Sequence, residues 1–267
     1  MASSTRQSLA SAKAALQPLL ATADLTLASQ LFSVAGAVAG SAQLRNLLSD
    51  PSAEEMAKSG AVSAVFGKAV SAPVLQFVTS LVALRWSKGS DLVASLEQLG
   101  VIAAANVAAK NGTVEALSNE LFAFQNAIET NSELQFALAS KTATTEARTN
   151  LVTALLGNKA SAEATLLIKQ AVTATHKLRA SVVLDHFGKH VAQVAQSLVA
   201  TVKVAQPLNE KQLSRLQAAL TKLYGSSVKL NVEHDPSIIG GVRIQIADEI
   251  IDGSLISRLN QAKLSLA

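Results

Sequence analysis

Two stretches of this chain align without gaps at a shift of 90 positions: AEEMAKSGAVSAVFGKAVSA at 53–72 and ATTEARTNLVTALLGNKASA at 143–162. Both contain the element Gly-x-x-x-Ser-Ala in the same register. Over residues 25–82 the same shift gives 14 identities in 58 positions, including a Leu-Phe pair that ends at Phe32 and at Phe122. A fixed period of this kind indicates an internal duplication.

The composition favours helices in both copies. Of the 267 residues, 49% are hydrophobic, 16% charged and 3% aromatic, and 48 are alanine. Alanine has the highest helix propensity, whereas β-sheets favour aromatic and β-branched residues. The apolar fraction also excludes a disordered chain. Periodic apolar residues predict helices near 24–39, 42–49, 53–67, 72–86 and 90–109, and near 113–130, 132–139, 143–157, 161–176 and 179–200.

The N-terminal segment and the start of the helix near residue 53 each have two interpretations. Residues 1–23 contain Arg6 and Lys13 and no acidic residue, a composition similar to that of a transit peptide. Apolar residues at helical spacing within this segment favour a first helix instead. The helix that starts near residue 53 is expected to be capped by Asp50 or Ser52.

The pattern changes near residue 200, where apolar and polar residues alternate as in a β-strand. The same alternation recurs at 228–232 and 242–246. Asn209 and Gln212 have the spacing of a capping box and predict a helix that ends near residue 224. Asp252 is expected to cap a last helix that continues to about residue 266.

These patterns predict a mainly α fold with two similar helical bundles and a small C-terminal α/β domain. The expected domains are copy 1 at residues 1–110, copy 2 at residues 111–200 and the C-terminal domain at residues 201–267.

Charge and residue usage exclude several functions. The net charge of +4 comes from 23 basic and 19 acidic residues without a basic run, so no nucleic-acid partner is predicted. The chain has no cysteine, which excludes disulfides and thiolate metal sites. The apolar stretches 31–40 and 101–109 are shorter than a bilayer-spanning helix. No direct membrane insertion is therefore expected.

The C-terminal domain resembles a known family. Residues 232–246 read VEHDPSIIGGVRIQI, which is similar to the signature of the ATP synthase delta subunit family, whose mitochondrial counterpart is the oligomycin-sensitivity-conferring protein. Ala247 stands where the family commonly has glycine, a departure that affects one turn. The signature positions, taken as structural, are Asp235, Pro236, Gly240, Gly241, Asp248, Asp252, Gly253 and Ser254.

The number of predicted bundles indicates which form of the family this chain resembles. Members of this family usually have one helical bundle before the C-terminal domain, whereas this chain is predicted to have two. In this respect it resembles the long delta subunits of actinobacteria, which implies a bacterial source.

The resemblance implies a non-catalytic stator subunit of F-type ATP synthase. In this family the helical domain binds the N-terminal helix of an alpha subunit, and the C-terminal domain binds the C-terminal end of the b subunit. The implied role is to tie the catalytic head to the peripheral stalk, so that proton-driven rotation is coupled to ATP synthesis. The implied setting is a hetero-oligomeric complex at the cytoplasmic face of the bacterial plasma membrane.

The family places its bundle directly before the C-terminal domain, which favours copy 2 as the alpha-binding bundle. Copy 1 as that bundle is the alternative. The duplication taken alone is also compatible with a helical-repeat scaffold that is unrelated to ATP synthase.

Three groups contain residue types that occur in metal, acid–base or phosphate-binding sites. A structural role is favoured for each. His186 and His190 lie four residues apart, a spacing that can bind zinc, but no third ligand is evident. Asp235 and Asp252 are explained as turn-forming and helix-capping residues. The pair Gly240-Gly241 precedes a strand and lacks the phosphate-loop pattern, so a backbone role is predicted. No catalytic, metal or cofactor site is predicted.

The aromatic residues are the candidates for a partner surface. They fall at helix positions, where core packing is the default, and some are expected to line an apolar groove that receives a partner helix. These residues are Phe32, Phe66, Phe77, Trp86, Phe122, Phe124, Phe136 and Phe187.

Overall fold

The structure is a computed structural model that describes residues 3–140, 142–157, 159–174, 178–197, 199–206, 208–224, 228–235, 238, 241–246 and 249–252. Contacts between Cα atoms divide the chain into two compact units, Met1–Val191 and Ala192–Ala267. The division falls within a helix.

Helices account for the first part of the chain, and their bounds lie within a few residues of the predicted ones. They are α1 (Ser3–Thr22), α2 (Leu25–Gly40), α3 (Ala42–Ser49), α4 (Glu55–Phe66), α5 (Ala72–Ala83), α6 (Gly89–Lys110), α7 (Val114–Thr130), α8 (Ser132–Ala139), α9 (Thr145–Leu156), α10 (Ala162–Thr173) and α11 (Ala180–Ser197). Helices α3, α4 and α5 recur as α8, α9 and α10 with bounds shifted by 90 positions. The helix pattern thus repeats with the period of the sequence.

At α4, α5 and α11 the observed helix boundary differs from the predicted one for a local reason. Helix α5 ends at Ala83, before the predicted residue 86, because the indole N–H of Trp86 folds back and donates to the carbonyl of Leu81 at 2.9 Å. Helix α11 ends at Ser197, since the chain enters a strand two residues later. Neither Asp50 nor Ser52 caps α4, whose N-cap residue is Glu54. The Asp50 carboxylate accepts from the backbone N–H of Ser52 at 2.8 Å, and α4 begins only at Glu55.

Side chains cap the starts of several other helices. The Asp24 carboxylate accepts from the backbone N–H of Thr26 at 2.9 Å, and this hydrogen bond lowers the pKa of Asp24. The Asn131 side chain accepts from two backbone N–H groups at the start of α8, as the Ser41 hydroxyl does from one at the start of α3. Equivalent positions of the two copies therefore start equivalent helices.

Helix α6 lies at the centre of the first unit. It packs against α1, α2 and α3 on the copy 1 side and against α7 and α10 on the copy 2 side. Its last residue, Lys110, donates to the carbonyls of Ala21 and Ala23 at 2.9 and 3.2 Å, and burial lowers the pKa of this lysine. The bundles predicted at 1–110 and 111–200 therefore share one core, because α6 serves both.

Helix α6 is longer than the apolar stretch that the sequence analysis identified within it. The apolar stretch 101–109 is too short to span a bilayer, but the helix that contains it has 22 residues and is apolar enough by length and composition to cross a membrane. In the fold, 83% of its most apolar window is buried inside the protein. The apolar residues of α6 thus form a core helix between the two copies.

Small residues allow helices α2 and α6 to pack closely. Ala28 and Ala35 on α2 are fully buried, with Phe32 between them. A Cβ atom on Gly100 of α6 would lie 2.7 Å from the Phe32 ring. That ring stacks on Phe187 of α11, with ring centroids 6.3 Å apart. Phe32 thereby joins helices of both copies.

The second unit contains a four-stranded sheet, which confirms the predicted α/β tail. Its elements are β1 (Val199–Val204), α12 (Glu210–Tyr224), β2 (Lys229–His234), β3 (Val242–Ile246) and β4 (Glu249–Asp252). The strand order is β2-β1-β3-β4, with β1 parallel to β2 and the other pairs antiparallel. The parallel pair is joined through α12, as such a connection requires.

The core and the first helical turn of this unit follow the sequence pattern. Alternating strand residues and Leu220 of α12 form one core with Val228, which precedes β2. The buried members of this core are Ala200, Val202, Val204, Leu220, Val228, Ile244 and Ile246. The predicted capping box is present, since Asn209 and Gln212 each accept from the backbone N–H of the other at 2.9 Å.

Candidate partner-binding surfaces

The two helical copies share tertiary hydrogen bonds at equivalent positions. In copy 1, the backbone N–H and hydroxyl of Ser71 donate to the side chain of Gln30 at 3.2 and 3.0 Å. In copy 2, the same two groups of Ser161 donate to the carboxylate of Glu120. Both pairs are separated by 41 residues. They tie the start of α5 to α2 in copy 1 and the start of α10 to α7 in copy 2.

A second equivalent contact lies at the end of α5 in copy 1 and at the end of α10 in copy 2. The ammonium of Lys58 donates to the carbonyl of Val82 at 3.3 Å, and the guanidinium of Arg148 donates to the carbonyl of Val172 at 3.5 Å. A cation at a helix C-terminus is favourable because it satisfies an unpaired carbonyl and opposes the helix dipole. Because the copies share this framework, each is a reference for the other, and their differences identify surfaces that folding does not require.

One difference begins where the last helix of each copy starts. In copy 1 this position is Gly89, and a Cβ atom there would lie 2.6 Å from Cγ of Arg45 on α3. A side chain at residue 89 would therefore require the Arg45 side chain to move. In copy 2 the equivalent position is Arg179. Copy 2 therefore has a long, charged side chain where copy 1 has none.

In copy 2 a cavity of about 1070 Å³ is lined by residues of α8 and of the start of α11. We call it the copy 2 groove and define its apolar lining by Ile128, Phe136, Leu138, Val172, Leu178 and Val182. Its floor is buried, whereas Phe136, Leu178 and Val182 are 78%, 50% and 38% exposed. In copy 1 the residue equivalent to Val182 is Leu92, which is fully buried.

Two of the exposed apolar residues replace polar ones. Phe136 occupies the position of Asn46 in copy 1, and Leu178 occupies the position of Lys88. Asn46 and Lys88 are also exposed, as polar residues at such positions ordinarily are. Copy 1 folds without large apolar side chains at these two positions, so folding does not explain them in copy 2.

The groove also carries positive charge. Arg148 and Arg179 line it, together with the carboxylate of Glu129. Arg148 is held by donating to the carbonyl of Ser140 at 2.7 Å. Its Nε–H is buried and has no acceptor among the described residues. The local charge of the groove is therefore positive.

The predicted set of aromatic residues separates into two groups. Phe32, Phe66, Phe77, Trp86, Phe124 and Phe187 are buried, as core packing predicts. Phe122 and Phe136 are 69% and 78% exposed. Of these two, only Phe136 lines the groove. Sequence reasoning named both as groove candidates, and the comparison of Phe136 with Asn46 across the repeat is the signal that distinguishes it.

The family-signature positions are described only in part. The backbone N–H of Asp235 donates to the carbonyl of Val204 at 3.0 Å, and the carbonyl of Asp235 accepts from Ile238 at 3.2 Å. Gly241 has φ of 88°, a left-handed conformation that favours glycine. Asp252 ends β4, in register with Arg243. Pro236, Gly240, Asp248, Gly253 and Ser254 lie outside the described residues, as do Ala247 and the predicted last helix. The structural roles predicted for this set remain predictions.

The two histidines of α11 have separate surroundings. A ring nitrogen of His190 lies 3.3 Å from the amide of Gln98 on α6, and Asp185 pairs with Lys189 at 2.6 Å. His186 is exposed. Among the described residues, no three His, Asp or Glu side chains are grouped as metal ligands.

The chain is similar to a known protein family and to several of its members. The model of the family "ATP synthase delta (OSCP) subunit" matches residues 102–266, which include copy 2 and the C-terminal unit. The chain is 40% identical to the ATP synthase subunit delta of Arthrobacter sp. (strain FB24) and 39% identical to that of Renibacterium salmoninarum, with 100% of each chain covered. It is 36% identical to the ATP synthase subunit delta of Streptomyces coelicolor, over 100% of this chain and 98% of the relative.

These matches confirm the resemblance to the long actinobacterial form, because the relatives align with both helical copies as well as with the C-terminal unit. The family match and the full-length identities together show that the chain belongs to the ATP synthase delta (OSCP) subunit family.

Proposed function

We propose that this chain is a stator subunit of F-type ATP synthase, which links the alpha/beta catalytic head to the b-subunit stalk. The observation that carries the proposal is the full-length identity of 40% to a relative named ATP synthase subunit delta. The alternative of a scaffold unrelated to ATP synthase has no support in these relatives. The proposal assigns no active site, cofactor or metal to the chain.

The helical unit is proposed to bind the N-terminal helix of an alpha subunit, and the C-terminal unit to bind the C-terminal end of the b subunit. The division into two compact units supports a separate binding site on each. Burial of a helix against apolar surface stabilises a complex by about 25 cal/mol per Å² before the costs of association. Two contacts on one chain then raise the effective concentration of each, which slows release under torque.

The location that fits this role is the cytoplasmic face of the bacterial plasma membrane, peripheral to the bilayer. The burial of α6 supports a peripheral position, since the one described helix with sufficient length and hydropathy lies in the core. Coupling of proton-driven rotation to ATP synthesis follows from the link, because a head held by the stalk does not turn with the rotor.

Isothermal titration calorimetry on the full chain tests the proposal. We expect a synthetic peptide of the alpha-subunit N-terminus and a C-terminal b-subunit fragment, both from the source organism, to bind independently. A Kd of about 1 μM or lower, or about −8 kcal/mol, is expected for the peptide. If neither ligand gives a heat of binding at ten times that concentration, the proposal is wrong.

A further inference from the structure

We propose that the copy 2 groove is the docking site of one amphipathic helix from another subunit of the complex. Large apolar side chains of this helix face Phe136, Leu178 and Val182, and an acidic side chain lies beside Arg148 and Arg179. The inference rests on the proposed function and deepens it, because it assigns a particular surface of the helical unit to a partner.

The duplication provides an internal reference for the copy 2 groove. Copy 1 has the same framework and presents Asn46 and Lys88 to solvent at the positions of Phe136 and Leu178. Exposed phenylalanine and leucine favour association with another molecule. Since the equivalent polar residues are compatible with folding in copy 1, the apolar pair indicates a binding role in copy 2.

The shape of the copy 2 groove indicates which kind of element it can bind. In copy 1 the start of α6 lies against α3, at Gly89 and Arg45, and Leu92 on α6 is completely buried. In copy 2 the groove lies between helices, and the cavity of about 1070 Å³ is larger than most small-molecule sites. A helix with apolar residues at positions i, i+3 or i+4, and i+7 is the element that such a groove accepts.

The charged residues of the copy 2 groove indicate the charge of its partner. Arg148 and Arg179 contribute two positive charges to the lining, against one negative charge from Glu129. The Glu129 carboxylate already accepts from the amide of Gln125 at 3.0 Å. An acidic side chain on the partner is therefore favoured over a basic one, through charge complementarity at the edge of the apolar contact.

Site-specific photocrosslinking in the assembled enzyme tests the inference. The photoreactive residue p-benzoylphenylalanine is introduced at position 136 of the full chain, and the ATP synthase is isolated from membranes and irradiated. The same residue at position 122 is the matched control, because Phe122 is similarly exposed on copy 2 but does not line the groove. We expect position 136, and not position 122, to cross-link to a helical segment of another subunit with apolar residues three and four apart and a nearby acid.

A substitution experiment gives an independent readout. In the assembled enzyme, the double variant Phe136→Asp, Leu178→Asp is expected to release from the complex about tenfold faster than the wild-type chain, because both apolar contacts are lost. Phe122→Asp is expected to leave the release rate unchanged. Circular dichroism of the free variants checks that their helix content is retained, as expected for exposed positions.

The outcomes separate this inference from the proposed function. If the chain is present in the isolated enzyme but position 136 cross-links only within the chain, to a second copy, or to nothing, the groove proposal is wrong and the stator role stands. If release rates of the double variant and the wild-type chain are equal, the groove proposal is also wrong. If the chain does not copurify with the enzyme, both proposals fail.

Discussion

At the scale of single residues, two glycines control how closely the helices of the first unit approach each other. Gly89 lies against Arg45 of α3, where a Cβ atom would approach Cγ of that arginine to 2.6 Å, and Arg179 occupies the equivalent position of copy 2. Gly100 lets α6 lie against the ring of Phe32. One exchange of a glycine for a large residue between two copies of the same framework thus accompanies the opening of a groove.

The substitution Gly100→Ala tests this dependence on close approach. The added methyl group would lie 2.7 Å from the Phe32 ring, which is held by stacking on Phe187. Overpacking of this kind is expected to lower the free energy of unfolding by about 1–3 kcal/mol. Gly36→Ala is the control. A methyl group on Gly36 would meet no side chain and no other helix within 4 Å, so alanine should stabilise α2 by about 0.5–1 kcal/mol. Urea titration measures both, and equal effects would contradict the argument.

At the scale of secondary-structure elements, the two copies are joined by one shared helix. By sequence position α6 is the last helix of copy 1, but it packs against α7 and α10 of copy 2 as well as against α1, α2 and α3. A helix whose residues are apolar around most of its circumference requires neighbours on all sides. The copies therefore depend on each other through α6, although their sequences repeat as separate blocks.

Deletion of residues 24–110 is expected to unfold copy 2 together with copy 1, because it removes α6 from the copy 2 core. Circular dichroism should then show less helix than α7–α11 would contribute, without a cooperative thermal transition of the helical unit. Deletion of residues 24–87 is the control, since it retains α6 and is expected to retain more helix per residue. A cooperative transition with the full helix content of α7–α11 after deletion of 24–110 would show that copy 2 folds without α6.

At the scale of the whole molecule, the chain consists of two compact units with different architectures. The helical unit has a core formed between helices, whereas the second unit has a sheet covered by α12. Cores that are separate in this way are expected to fold separately. A chain that connects two partners can then present one binding site on each unit.

A fragment of residues 1–197, which ends with α11, is expected to fold and to bind the alpha-subunit peptide with the affinity of the full chain. The same fragment is expected to lose binding of the b-subunit fragment completely, because it lacks the second unit. Calorimetry with both ligands measures the two effects. Retained b-fragment binding by residues 1–197 would place that contact on the helical unit and contradict the proposed division of roles.

The element pattern, the duplication and the family could all be predicted from the order of residues along the chain. Helix and strand bounds follow from apolar periodicity, and starts such as that at Asn209 follow from capping residues; both depend on neighbours in the chain. Where a local signal had two interpretations, as at Asp50, the predicted cap was wrong. The family resemblance required only the residues from Val232 onward.

The shared position of α6, the burial of six of the aromatic residues and the place of Phe136 in a groove became visible only in the folded chain. The physical reason is that burial and close approach depend on residues far apart in the sequence. Phe32 and Phe122 occupy equivalent positions of the repeat and both follow a leucine, yet Phe187 stacks on the first and the second is exposed. Likewise, the sequence shows the difference between Gly89 and Arg179, but its consequence depends on the positions of α3 and α8.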